Sequence, residues 1–465
     1  MLDKLSSSSK DRLIGYKEKV EELLRENGIA IGDTVKVKTN ENEFTGLLMP
    51  RYESSDKNHI VIKLASGYNI GITASKIRMI TRTEEQTPSC QKDPFQRFDA
   101  GVKINHSKQS CNIQNPTLKI ALLGTGGTIA SKIDYRTGGV SAVLSASDIY
   151  DSVPELKSYA LIESEVFLNE ASENLKPTDW TAISHRIKDK IALNQYQGII
   201  VSHGTDTMHY TSAALSFALQ NLPIPVILVG AQRSPDRPSS DAALNLLGAV
   251  VFALKTQVSG VFVCMHADTS DDAIACHLGT RVRKNHTSRR DAFESVDCPP
   301  IALVIGETLQ MSLQAERLSL KRRNETQEIT FRPDFDKRVL LMKYYPGLDT
   351  GFIDYAVAKG YRAIILEGTG LGHIGRDYLP AIRRAINSGT LVFMTSQCIW
   401  GRTKMTVYET GRDLLDAGVI PLSDMLAETA TVKAMWALAN SDSMKMVVKL
   451  MTQNTANEIS TSIPL

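Results

Sequence analysis

The polar and apolar positions of this chain change rhythm three times. Between Asp11 and Asn27 the apolar residues Leu13, Ile14, Tyr16, Val20, Leu23 and Leu24 recur at helical spacing among charges, and Gly28 follows. That pattern predicts an amphipathic helix with a glycine stop over residues 1–28. From Ile31 to Ile80 the rhythm becomes short alternating runs, TVKVK, FTGLLM, HIVIKL, NIGIT and KIRMI, separated by turn-forming NENE, ESSDKN and ASGY. Short strands at this density predict a small SH3-like β-barrel over residues 29–82. Residues 83–116 sustain no period and are broken by Pro88, Pro94 and Pro116, as a linker would be.

Beyond that stretch the runs become continuously apolar. KIALLG, GIIVSHG, VILVG, GVFVC and IALVIG read as buried parallel strands. Helical segments lie between several of them: TSAALSFALQ within Asp206–Gln220, and the alanine- and leucine-rich Ser240–Lys255. A charged junction near Leu318–Lys337 precedes VLLMKYYPG, AIILEGTG and LVFMTSQC, which repeat the strand–turn–helix order in a smaller unit. The expected fold is therefore α/β: two domains with parallel-rich sheets, residues 117–325 and 326–465, preceded by the small barrel. Paired α/β domains commonly place a site in the cleft between them.

Composition narrows the picture by exclusion. A chain of 465 residues forms about two to four domains and needs no staples. A formal net charge of +2 gives no electrostatic argument for bulk nucleic-acid binding. The start, MLDKLSSSSKDR, lacks the apolar core of a signal peptide, and no uninterrupted apolar run approaches bilayer length. The six cysteines are scattered, so reduced thiols in a cytoplasmic protein are expected. Cys264, His266, Cys276 and His277 have metal-ligating chemistry, but C-x-H followed by adjacent Cys-His matches no usual zinc spacing. Neighbouring side chains on a strand point to opposite faces, so structural roles and no metal are expected there.

Chemistry concentrates at two strand ends, KIALLGTGGTIAS and IIVSHGTDTM. Each stops abruptly at glycine and threonine, where open α/β sheets bind ligands. Gly124 and Gly126 fit the first two glycines of G-x-G-x-x-G, but the third position falls on Ile129, and no Gly-Lys-Ser/Thr of a P-loop occurs. What remains is a tight turn presenting Thr125 and Thr128 with backbone N–H groups, the parts of a nucleophile and an oxyanion site. In the second motif Thr205 and Asp206 are good helix caps, yet a carboxylate at a strand end also suits a substrate ammonium group. His203 follows an apolar run and reads as packed. A proton relay is still needed, and the cation-rich loop GTRVRKNHTSRRDAFES offers Arg281, Arg283, Lys284 and later arginines without choosing among them.

TGGTIAS, then HGTDTM, then a lysine in the loop RVRKNHT resemble the asparaginase/glutaminase amidohydrolases from about Thr117 to the C-terminus. The resemblance implies Thr128 as nucleophile, with Thr205, Asp206 and Lys284 as a second catalytic group. It implies that Tyr135 closes over the nucleophile and that Ser172 and Glu173 grip the α-carboxylate and α-amino groups of the substrate. Many stand-alone asparaginases carry glutamine where Glu173 stands, an exchange that bears on substrate preference. It also implies a homodimer in which His373 and Glu409 make contacts across subunits.

The N-terminal helix, barrel and linker are similar to the D-subunit family of archaeal glutamyl-tRNA(Gln) amidotransferases. That similarity implies ammonia release from glutamine or asparagine for a partner, the E subunit, in a heterotetramer. The partner would use ATP and Mg2+ to convert Glu-tRNA(Gln) to Gln-tRNA(Gln), contacting the tRNA itself, while this chain holds no cofactor. A stand-alone cytoplasmic L-asparaginase with an added domain is the enzymatic rival. A degenerate amidohydrolase that senses amino acids is the non-enzymatic one.

Overall fold

The computed structural model describes residues 13, 16–40, 42–49, 57–64, 69–83, 118–127, 131–133, 140–142, 156, 158–233, 240–313, 318, 320–323 and 328–460. Thr128, Tyr135 and nearly all of the expected linker lie outside the described residues.

The N-terminal part follows its alternation closely. Val35 and Val37 are buried on one face of the strand Thr34–Thr39, whereas Thr34, Lys36 and Lys38 are not. That strand pairs antiparallel with both Glu43–Leu48 and Ile77–Arg82, and the sheet continues through His59–Leu64 to Asn69–Thr73. The result is a five-stranded antiparallel meander whose last strand returns to the first. Among the described residues no pairing joins Asn69–Thr73 to Ile77–Arg82, so the hydrogen-bonded path stays open. The helix Glu18–Glu26 lays Val20 and Leu24 against the sheet's buried face, beside Leu48, Ile60 and Ile62. Tyr16 fastens the helix entry by donating its hydroxyl to Met49 O at 2.7 Å.

The large sheet has the order Leu161–Val166, Lys119–Gly124, Tyr196–Ser202, Pro225–Val229, Val258–His266, Ile274–Leu278, Ala302–Ile305 and Thr308–Met311. Its first five strands are parallel. Apolar side chains cover both faces, as the continuous apolar runs require. IALVIG departs from expectation, because Ala302–Ile305 pairs antiparallel with both of its neighbours. The cause is the unanticipated strand Ile274–Leu278. Only residues 267–273 join it to Val258–His266, too few for the helical crossover that a parallel neighbour needs.

The C-terminal sheet, Val339–Lys343, Ala363–Gly368, Leu391–Ser396 and Ile420–Pro421, is parallel throughout. Helices Met208–Ala218 and Ala427–Ala439 bring the two α/β domains together, with Phe217 stacked on Trp436 at 5.7 Å between ring centroids. Both rings are fully buried, and each contributes about 2–3 kcal/mol by leaving water.

Candidate active site

Two adjacent parallel strands, Lys119–Gly124 and Tyr196–Ser202, end side by side, with Gly124 in register with Ser202. Their following loops close on each other with almost no space between. A Cβ on Gly126 would sit 2.2 Å from Glu170 O, and one on Gly127 would sit 2.4 Å from the nitrogen of Gly204. Both glycines also have positive φ, +115° and +83°, so this approach admits no other residue. Thr125 does not offer its hydroxyl to a ligand as expected. It is buried, and its Oγ1 and backbone N both donate to Ser202 O, at 2.8 and 3.1 Å, which ties the two strand ends together.

Gly204 is pressed against a third element. A Cβ there would meet Ser172 Cβ at 2.7 Å, and the Thr207 hydroxyl donates to Ser172 O at 2.7 Å. Ser172 opens the short 3-10 turn Ser172–Asn174; it is buried, while Glu173 is exposed beside it. The segment carrying Ser172 and Glu173 is thus brought to the Thr205–Asp206 corner.

Among the described cations of the loop, Lys284 reaches the Thr205–Asp206 corner. Lys284 Nζ donates to Thr205 Oγ1 at 2.8 Å and to Asp206 Oδ1 at 2.7 Å. Its side chain is 9% exposed, whereas that of Asp206 is 67% exposed and faces outward from the corner. The other cations of the loop are engaged elsewhere: Arg281 with Asp424, Arg283 with Glu428, Arg289 with Asp291 and Arg290 with Asp271. Lys284 ends the strand Val282–Lys284, which pairs antiparallel with Phe293–Ser295 in a short ribbon. A hydroxyl, an ammonium and a carboxylate in direct contact can pass or hold a proton beside a reacting carbonyl.

His203 is no part of this relay. It is fully buried, its Nδ1 lies 2.6 Å from Gly204 O, and burial pulls its pKa down to about 4. One described cavity lies mainly against the C-terminal domain. It is lined by Arg283, Lys343, Glu367, Ser396, Gln397 and Glu428, among others, and not by Thr205, Asp206 or Lys284. His373 and Glu409 make their contacts inside the C-terminal domain. The His373 ring meets Tyr408 edge-on at 5.3 Å and Thr410 Oγ1 at 3.3 Å, and Glu409 pairs with Arg376 at 2.9 Å.

The four residues weighed as metal ligands are divided among separate contacts. Cys264 and Cys276 face each other across paired strands in the core, with their sulfurs 3.0 Å apart. His266 contacts Asn245 Oδ1 at 2.6 Å and His277 contacts Ser295 Oγ at 2.8 Å. Among the described residues no group of three His, Cys, Asp or Glu side chains is placed to hold a metal ion. No described helix is long and apolar enough to cross a membrane.

Sequence reasoning missed how Lys284 is held. The tail Gln453–Ser460 and Asp424, far along the chain, bond to the segment that precedes the lysine. Three of those bonds, with Arg281 Nη1 to Asp424 O among them, end on backbone carbonyls, which leave no trace in residue type.

Comparison with known proteins extends over nearly the whole chain. Residues 119–317 match the family model "Asparaginase, N-terminal" and residues 338–451 match "Glutaminase/Asparaginase C-terminal domain". Residues 29–81 match "GatD N-terminal domain". The D subunit of glutamyl-tRNA(Gln) amidotransferase from Pyrococcus furiosus is 45% identical over 446 residues, covering 95% of this chain and 97% of that protein. Its counterpart from Methanopyrus kandleri is 42% identical, covering 96% and 94%. Among solved structures, the thermostable L-asparaginase from Thermococcus kodakarensis superposes with a TM-score of 0.66 at 37% identity, covering 74% of this chain and all of that one. L-asparaginase I from Vibrio cholerae gives a TM-score of 0.64 at 28% identity, covering 74% of this chain and 99% of that one. An asparaginase-type pair of α/β domains behind this particular N-terminal domain, matched over nearly its full length, places the chain in the D-subunit family of glutamyl-tRNA(Gln) amidotransferases, within the asparaginase/glutaminase amidohydrolases.

Proposed function

We propose that this chain is the amide-hydrolysing subunit of a glutamyl-tRNA(Gln) amidotransferase, releasing ammonia from glutamine or asparagine for a partner. The observation that carries the reading is the contact of Lys284 with both Thr205 and Asp206 at the end of a parallel strand. In this mechanism the Thr128 oxygen bonds to the side-chain amide carbon. The carbon–nitrogen bond breaks, and the nitrogen takes up a proton to leave as ammonia. Water then adds to the resulting ester, the carbon–oxygen bond to Thr128 breaks, and the acid product departs. Thr205 and Lys284 relay the protons, and backbone N–H groups near the glycine turn hold the oxyanion. Asp206, with Ser172 and Glu173, grips the α-amino and α-carboxylate end of the substrate, and Tyr135 closes over it.

We assign the chain 1–28 as helix, 29–82 as the small β domain and 83–116 as linker, with 117–325 and 326–465 as the α/β pair. The partner is the E subunit, which uses ATP and Mg2+ on Glu-tRNA(Gln), in a cytoplasmic heterotetramer built on a homodimer of this chain. In that dimer His373 and Glu409 face the neighbouring copy. The test separates the two halves of the reaction. Thr128→Ala and Lys284→Ala are each expected to abolish glutamine-driven conversion of Glu-tRNA(Gln) by the complex. Conversion driven by ammonium chloride should stay at the wild-type rate. If free ammonia does not rescue these variants, the division of labour is wrong.

A further inference from the structure

The lysine at the centre of the site is held from the far end of its own chain. Thr280 to Lys284 leads into the relay; its backbone pairs with Phe293–Ser295, while the side chains of Thr280, Arg281 and Arg283 reach the C-terminal domain. The Thr280 hydroxyl donates to Ala456 O at 2.8 Å, and Thr280 O accepts from the Thr429 hydroxyl at 3.0 Å. The Arg281 guanidinium spends all three nitrogens: Nε on Asn457 O at 2.8 Å, Nη1 on Asp424 Oδ2 at 3.1 Å and on Asp424 O at 3.2 Å, and Nη2 on Ser460 Oγ at 2.8 Å. Asp424 in turn accepts from the backbone N of Ser460 at 3.1 Å. Arg283 Nε reaches Glu428 Oε1 at 2.7 Å. The Arg281 side chain is 3% exposed and that of Asp424 is 2% exposed, so this joint is dry.

The tail that supplies these acceptors is itself fixed. Lys433, fully buried on the helix Ala427–Ala439, bonds Gln453 O at 2.6 Å and also Glu458. Glu458 turns back to accept from the N–H groups of Thr455 and Ala456, at 3.0 and 2.6 Å. Asn457 takes a left-handed φ of +63°, a conformation asparagine tolerates.

We infer that Gln453–Ser460 and Asp424 form a strap that sets the position of Lys284 against Thr205, with Arg281 as its buckle. This rests on the proposed amide hydrolysis. Arg281 and Asp424 are positioning residues, because neither touches the Thr205–Asp206–Lys284 cluster and both act through the backbone of residues 281–284. Short charge-assisted bonds in a dry joint are stiff, and misplacing a reacting group by about 1 Å costs roughly a hundredfold in rate.

The test is steady-state glutamine hydrolysis by the full chain in its complex, with kcat and KM separated and the melting temperature recorded. Arg281→Met and Asp424→Asn each strand a charge and are paired with milder changes, Arg281→Lys, Thr429→Val and Ser460→Ala. The mild variants are expected to lower kcat about threefold to tenfold, with KM for glutamine within twofold and melting within a few degrees of wild type. Arg281→Met/Asp424→Asn should lose no more kcat than the worse single variant, as members of one joint do. The inference is overturned if the folded mild variants keep wild-type kcat, or if kcat and melting temperature fall while KM rises, as in general loosening. Lys284→Ala distinguishes the two levels. Full loss there, with strap variants unaffected, removes the strap and leaves the hydrolysis reading standing. Wild-type activity in Lys284→Ala removes both.

Discussion

Gly127 shows how little latitude the site allows at the level of one residue. Its Cα lies against the backbone of Gly204, with room for neither a methyl group nor the usual negative φ. Alanine there would incur about 1–2 kcal/mol of left-handed strain and would also push two backbones apart. The second cost cannot be relieved by rotating a side chain, because the atom at 2.4 Å is a peptide nitrogen. Gly127→Ala is therefore expected to lower glutamine hydrolysis at least a hundredfold, while far-UV circular dichroism stays close to wild type. The displaced loop is the one that leads into Thr128, so the loss should fall on kcat. A variant that keeps more than a tenth of wild-type kcat would show that the two strand ends can separate without harm to the site.

At the scale of elements, stability of the C-terminal sheet has an acid-sensitive component. Asp336, just before the strand Val339–Lys343, accepts from Arg338 Nε and Nη2 at 2.9 and 2.7 Å and from Arg362 at 3.3 Å. Arg338 does most to hold its carboxyl at about 2, against the opposing effect of burial, and Arg362 adds to the depression. A carboxylate held below its ordinary value stabilises the fold fully above pH 4 or so. That stability, at most about 2 kcal/mol, is lost as pH falls towards 2. The melting difference between wild type and Asp336→Asn should be largest above pH 4 and close by pH 2; a difference constant across that range would rule the account out.

The same scale shows what could be read from residue order. Thr34–Thr39 and its partners were legible because one face is wet and one dry, so alternation reports burial directly. The strand Ile274–Leu278 was not, because IACHL places a cysteine and a histidine where the eye looks for ligands, although both are buried. Once it was missed, the orientation of Ala302–Ile305 followed wrongly. Within the site, HGTDT announced itself by side-chain chemistry, whereas Lys284 stood out from the other cations of its loop only through the resemblance to the amidohydrolases. The spent hydroxyl of Thr125 and the carbonyls of Ala456 and Asn457 could not, since their partners are backbone atoms.

For the whole molecule, the decisive relation is between the small β domain and the α/β pair. Leu13, Tyr16, Val20, Val35, Ile60 and Ile80 belong to a core that shares no residue with the cores of the α/β domains. Solved asparaginases make the same point from outside, because the Thermococcus kodakarensis enzyme is matched along all of its length by 74% of this chain. A unit with its own core unfolds on its own, so two-state behaviour should fail for the full chain. Calorimetry is expected to show two transitions. A chain beginning at Thr117 should keep the larger transition within a few degrees and lose the smaller one. It should also keep the strap and the Lys284 contacts, all of whose members lie between Thr205 and Ser460, and therefore its kcat for amide hydrolysis. A shift of the larger transition by more than about ten degrees would mean that the two units stabilise each other, since a change of that size exceeds what 1 kcal/mol does to a domain of this size. Retained hydrolysis with lost conversion of Glu-tRNA(Gln) would locate the contribution of the small domain in the complex, outside the chemistry of the amide.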